Sequence, residues 1–292
     1  MTTDVPSSTN AGNELSFVDR DNFAFVMNVG HLVDAPSYTL APGHQLRRAT
    51  TDEVAFIKEV IEDLGPAPQF LYRYFWEQRW PYQPGGGFEH LPEPEWRYFV
   101  IAFRGFNNTI RELEDAFDLA PLELEVAFTV LFMNWSGGDG PTLSWKPGRV
   151  YHVLEAAGRN QSFFRDVSAS DIEAIQGINS QLQNHDHRLV DLRRLTAQLN
   201  DLKGLPHSSP LRFLGHFALL EALLMHAPKP SDPYDSITRQ VKKKLALLNH
   251  RWSPPLDYSP FGGVKPDAIW SKMYSYRSLL AHGGNPDFKR EL

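Results

Sequence analysis

The sequence predicts an α+β protein, with a mixed α/β N-terminal region over residues 14–155 and an all-α helical bundle over residues 165–292. Three observations lead there. Short runs rich in Val, Phe, Tyr and Leu, bounded by Gly and Pro, dominate the first half. From about residue 168 onward, Leu and Ile recur at helical spacing along longer segments. Between these regions, residues 136–148 hold four glycines and two prolines, the clearest punctuation in the chain.

In chain order, residues 1–13 are polar and read as a disordered leader without the basic start or apolar core of a signal peptide. Residues 22–29 and 37–46 read as strands of a hairpin or meander, bounded by Gly30 and Pro36. Thr51 opens a helix with Val54, Ile57, Ile61 and Leu64 at helical spacing, and Gly65-Pro66 ends it. An aromatic stretch follows, from Phe70 through Trp76 to Tyr82. It suits a buried aromatic core, with a base-stacking platform as the rival reading. Gly85-Gly86-Gly87 lacks a following Lys-Ser or Lys-Thr and reads as a surface loop, not a phosphate loop. Residues 96–103 read as a strand and 109–119 as a short helix. Periodicity alone does not settle the apolar segment 122–135, for which a helix is the expectation. A strand is expected at 149–155.

Ser168 or Ser170 then caps a long helix reaching about Leu202, with Ile172, Ile175, Leu182, Leu189, Leu192, Leu195 and Leu199 near one stripe. Further helices are expected at 210–226, 236–251 and 266–282. Their Pro-rich links favour an antiparallel bundle.

Composition narrows the function classes. A chain of 292 residues can bury its cores without a metal or disulfide. Cysteine is absent, which excludes disulfides, thiolate metal sites and cysteine nucleophiles and fits a reducing compartment, so a cytoplasmic location is expected. The most apolar run, 122–133, contains Glu123 and Glu125 and falls short of the ~20 apolar residues that span a bilayer, so no membrane role is expected. The formal charge of -6 hides an asymmetry. Residues 205–292 carry 12 Lys and Arg against 7 Asp and Glu, a local +5, leaving 17 against 28, or -11, for the rest. Any anion-binding surface therefore belongs to the last third.

The chemistry-bearing residues also cluster there. In the last expected helix, Gly283 and Gly284 supply a left-handed ending, and Asn285-Pro286 prevents continuation. His282, a group able to give or take a proton near neutrality, thus sits in the final turn. Arg277 precedes it by five residues, about 140° around the helix. The long Arg side chain can still bring both groups onto one phosphate over the helix end, particularly if a second protomer presents the same pair. The spacing alone is not distinctive: with 11 His in 292 residues, about one Arg in 27 meets a His at any fixed offset.

Three segments in order carry more: Leu211-Arg-Phe-Leu-Gly-His-Phe-Ala-Leu-Leu-Glu221-Ala-Leu-Leu224, the basic stretch from Arg239 to Arg251, and Tyr274-Ser-Tyr-Arg277-Ser278-Leu-Leu-Ala-His282-Gly283. Together they resemble the Apea-like branch of the HEPN family over about the last 85 residues. The resemblance implies a helical bundle that forms a homodimer, so that two Arg/His motifs face one composite cleft and cleave RNA without metal or other cofactor. It implies that Arg277 and His282 form the motif and that Glu221 is the acidic residue orienting them. Ser278 departs from the Asn, Asp or His that many active members carry after the Arg, though it keeps a hydroxyl. A non-catalytic RNA- or protein-binding module is the competing reading, and a purely structural dimerisation domain a third. The family's setting implies bacterial defence or stress, as a toxin or antiphage nuclease, with the N-terminal region expected to engage a regulatory partner.

Independently of the family, cleavage of RNA needs a base at the 2'-OH, an acid at the leaving 5'-oxygen, and positive charge at the non-bridging oxygens. Two His282 and two Arg277 side chains supply all of these. Arg239, Lys242, Lys243, Lys244 and Arg251 can guide the RNA backbone, or form a solvated face opposite Val241, Leu245 and Leu248; the two readings are compatible. His185-Asp186-His187 is not expected to hold a metal, because adjacent residues on a helix point apart. His216 and His226 read as core or helix-end histidines. No Gly-x-Ser-x-Gly, Walker or Rossmann pattern is present.

Overall fold

Phe-Ala-Phe-Val in β1 (Asn22–Val26) and Phe-Val-Ile-Ala-Phe in β7 (Phe99–Phe103) are apolar at successive positions, and both strands are buried throughout. Successive strand residues point to opposite faces, so such runs need a core on each side. Ala24, Val26, Phe99, Ile101 and Phe103 enter one core; Phe23, Phe25, Tyr98 and Val100 enter the other. The computed structural model describes residues 21–63, 75–79, 89–105, 107–132, 141–145, 150, 163–186, 190–206, 208–226, 236–253, 255–284 and 287.

These central strands belong to a six-stranded sheet. Its other members are β3 (Ser37–Ala41), β4 (His44–Arg48), β8 (Val126–Leu131) and β9 (Thr142–Trp145), in the order β3-β4-β7-β1-β8-β9. Every pairing is antiparallel, with Ala24 opposite Ile101 and Phe25 opposite Phe128. Helices cover both faces. Ile57, Val60 and Ile61 of α1 (Thr51–Glu62) join Phe75 and Trp76 over one core. The other is closed by Ile110, Leu113 and Phe117 of α2 (Asn107–Leu119) with Ile172 and Ile175 of α3 (Ala169–Gln183). This gives three layers. A parallel pair joins β2 (Val29–Leu32) to β10 (Arg165–Val167), and β5 (Gln78–Arg79) pairs with β6 (Glu89–His90). At the edge strand β3, the Gln176 amide of α3 donates to the Thr39 carbonyl at 2.8 Å.

The α1 start is doubly fixed. Thr50 and Glu53 form a reciprocal capping box, and the Glu53 carboxylate also takes both Arg47 guanidinium nitrogens at 2.7 and 2.8 Å. That charged hydrogen bond raises the Arg47 pKa.

Three expectations are corrected. Residues 122–135 were expected as a helix, but 126–131 form β8. Val-Ala-Phe-Thr-Val-Leu is short, β-branched and aromatic, and five of its six residues are buried. Its entry is fixed by Asn28, whose side chain donates to the Glu123 carbonyl and accepts from the Glu125 N–H. Residues 37–46 are two strands, because Gly43, at φ 75°, turns the chain between β3 and β4. The long helix expected to reach Leu202 is two: α3 stops at Gln183, and α4 (Leu192–Lys203) begins anew with the Asp191 carboxylate accepting from the Arg194 N–H.

Ser168, the nearer of the two expected caps, accepts from the Asp171 N–H while its own N–H donates to the Asp171 carboxylate. Phe75 and Trp76 are core residues, as expected of the aromatic stretch. Phe70, Tyr72, Tyr74, Trp80, Tyr82 and the three glycines 85–87 lie outside the described residues, as do all of the expected strand 149–155 except Val150, and residues 1–13.

The chain divides into two compact units, Met1–Gln183 and Asn184–Leu292, so α3 belongs with the sheet. The second unit holds α4, α5 (Pro210–Leu224), α6 (Ile237–Arg251) and α7 (Pro266–Ala281), and α5 packs against each of the other three. A close approach of α4 and α5 uses Gly215, where a Cβ would collide with the Leu202 methyls. No described helix is long and apolar enough to cross a membrane.

Candidate functional site

The contact between α5 and α7 is built on rings. Phe217 is buried, Phe213 lies 5.0 Å from it, and Phe213 meets Tyr276 edge-on at 4.9 Å. Residue 221 is one turn beyond Phe217, and Arg277 adjoins Tyr276, so the aromatic contact brings these two side chains together. Arg277 Nη2 donates to Glu221 Oε2 at 3.1 Å, with the side chains 30% and 21% exposed. The other carboxylate oxygen, Oε1, is buried and accepts no hydrogen bond among the described residues. Glu221 therefore holds Arg277 with half of its accepting capacity unused.

His282 is the C-cap of α7. Its N–H donates to the Ser278 carbonyl, Gly283 takes φ 80°, and the Gly283 and Gly284 N–H groups return to Leu280 and Leu279. The imidazole is at the exposed end of the helix. The structure thus joins Arg277 to Glu221 and sets His282 at the helix terminus, with no hydrogen bond between its ring and either of them among the described residues. Ser278 is half-buried and contributes its carbonyl to the cap.

The basic helix α6 divides in two. Arg239, Lys243 and Arg251 are exposed and Lys242 is half-buried, beside a buried face of Gln240, Val241 and Leu245. Lys244 is engaged instead: its ammonium donates to the Leu224 carbonyl at the end of α5. One turn earlier, the buried Gln240 amide accepts from the His226 N–H at 3.1 Å and donates to the His226 carbonyl at 3.2 Å. Together they close the C-terminal end of the helix that carries Glu221. Lys244, expected to guide RNA or to belong to a solvated helix face, takes part in this closure instead, and Gln240 had no expected role. The only available signal was a lone amide on an otherwise apolar face.

Among the other histidines, His185 Nε2 lies 2.9 Å from the Val190 carbonyl, and His187 is outside the described residues. Burial, aided by the nearby Arg212 charge, lowers the His216 pKa from its usual 6.5. The unfolded chain then binds a proton that the folded unit resists, so stability falls as pH drops through 6.5 and stops falling below the depressed folded value. The expected result is that lowering the pH from about 7.5 to about 5.5 reduces the urea midpoint less in His216→Gln than in the parent chain. Equal reductions would assign the acid sensitivity elsewhere.

No protein-family model, curated protein or solved structure matches this chain.

Proposed function

We propose that the second unit is a metal-independent endoribonuclease of HEPN type, acting as a homodimer in which two Arg277/His282 pairs share one cleft. The observation that carries this reading is the Arg277–Glu221 pair, set by the α5–α7 contact five residues before the exposed His282 cap. A half-exposed guanidinium held by a carboxylate keeps N–H groups for a phosphate, and its planar fork fits two phosphate oxygens.

In the proposed reaction one His282 takes the proton of the ribose 2'-OH. The 2'-oxygen bonds to phosphorus, the bond from phosphorus to the 5'-oxygen breaks, and the partner's His282 protonates the departing oxygen. Arg277 neutralises the charge that grows on the non-bridging oxygens. The products are a 2',3'-cyclic phosphate and a 5'-OH. Ser278 favours a second reading, in which the same surface holds RNA without cutting it.

Incubation with RNA in EDTA separates the readings. New cyclic-phosphate ends that disappear in Arg277→Ala and His282→Ala support the nuclease. RNA that is bound yet left intact over a range of substrates supports the binding module and overturns the nuclease.

A further inference from the structure

A cleft of about 500 Å³ opens in the second unit between α6 and the start of α7, within the size range of ligand sites. Lys242, Ala246, Asn249 and His250 reach it from one face of α6 at helical spacing. Trp252, Tyr258 and Trp270 supply its aromatic walls. Trp252 is 44% exposed, a large ring left in water at the rim of a cavity.

The walls are held without a ligand. Trp270 Nε1 donates to the Tyr258 hydroxyl at 3.0 Å, and the Leu256 N–H donates to Asn249 Oδ1 at 2.7 Å, tying the chain after α6 to the helices on either side. The Asn249 NH2 and the Tyr258 O–H remain available as donors among the described residues. Asp267 contributes the one carboxylate of the lining. Lys242 is the one ammonium set against it, and this balance disfavours a di- or triphosphate and suits a single phosphodiester. The exposed Lys243 and Arg251 lie next to Lys242 and His250 in the chain and extend the positive charge beyond the rim.

We infer that this cleft takes one unpaired nucleotide of a single-stranded RNA, with the base stacked on Trp252 and the adjoining phosphate drawn to Lys242. Stacking on an aromatic face tolerates any base, and the Asp267 carboxylate accepts from base amino or ribose hydroxyl groups. Trp270 and His282 are twelve residues apart on α7, about 18 Å along its axis. A stacked strand rising about 3.4 Å per nucleotide covers that distance in about five nucleotides. As a recognition subsite the cleft rests on the nuclease reading; as a nucleotide-binding site it does not.

The test uses the full chain and a 2'-O-methylated oligoribonucleotide about eight nucleotides long, which lacks the attacking hydroxyl and stays intact. Saturable quenching of tryptophan fluorescence is expected. Trp252→Ala should weaken binding roughly tenfold and remove most of the quenching. Lys242→Gln should weaken binding and reduce the salt dependence by about one counterion. Both side chains lie at the rim, and unchanged circular dichroism and thermal midpoints verify the fold. Absence of saturable quenching, or affinity unaltered in both variants, overturns the proposal. Adenosine monophosphate binding as tightly as the oligonucleotide assigns the cleft to a free nucleotide and overturns the strand assignment. Loss of this binding with cleavage intact removes the cleft alone, and absence of cleavage with this binding intact removes the nuclease alone.

Discussion

His282→Ala lowers RNA cleavage about 10³-fold on the proposed mechanism, because one substitution removes both the base and the acid of a symmetric dimer. Arg277→Ala should cost about 10² to 10³ in rate through lost charge stabilisation, and Arg277→Lys should recover little, since an ammonium lacks the planar fork that grips two oxygens. Glu221 acts through Arg277. Glu221→Gln keeps an acceptor for the guanidinium and is expected to retain more activity than Glu221→Ala. Rates on a defined oligonucleotide in EDTA, with product ends identified, decide the matter. Activity that persists in both Arg277→Ala and His282→Ala would place the chemistry elsewhere or attribute it to a contaminant.

The second large effect concerns stability of the first unit. Trp76→Ala is expected to destabilise it by about 3–5 kcal/mol. The indole is 1% exposed and lies 5.1, 5.4 and 5.9 Å from the rings of Phe25, Phe75 and Tyr98. Its Nε1–H donates to the Met27 carbonyl at 2.8 Å, so truncation leaves both a cavity and a buried acceptor without its donor. Trp76→Phe retains most of the ring volume and should cost less than the alanine variant. Urea unfolding followed by far-UV circular dichroism measures the difference. A loss below about 1 kcal/mol for the alanine variant would contradict the packing described.

The α+β division and the last three helices were legible because their signals are local. Pro266 at a first turn, Ser236 as an N-cap and Gly283 at a left-handed exit each act within a few residues. β8 was not legible, since an apolar run buried on both faces has no period to distinguish strand from helix. The break between α3 and α4 was hidden for a different reason: Leu192, Leu195 and Leu199 continue the earlier stripe, while the new start depends on one carboxylate, Asp191. In the site, the helix end bearing His282 followed from sequence. The Glu221–Arg277 pair spans 56 residues and depends on the Phe213–Tyr276 contact, so it was anticipated only through a family resemblance. The aromatic walls of the α6–α7 cleft were missed because Trp252, Tyr258 and Trp270 converge only after the chain turns.

The amide of Gln176 occupies a carbonyl on the outermost strand of the first unit's sheet, where a backbone acceptor would otherwise invite another polypeptide to extend the ladder. A substitution there that leaves the fold intact exposes a template for chain-to-chain pairing. Its cost would register as association during concentration or refolding, with the melting temperature of the isolated molecule almost unmoved.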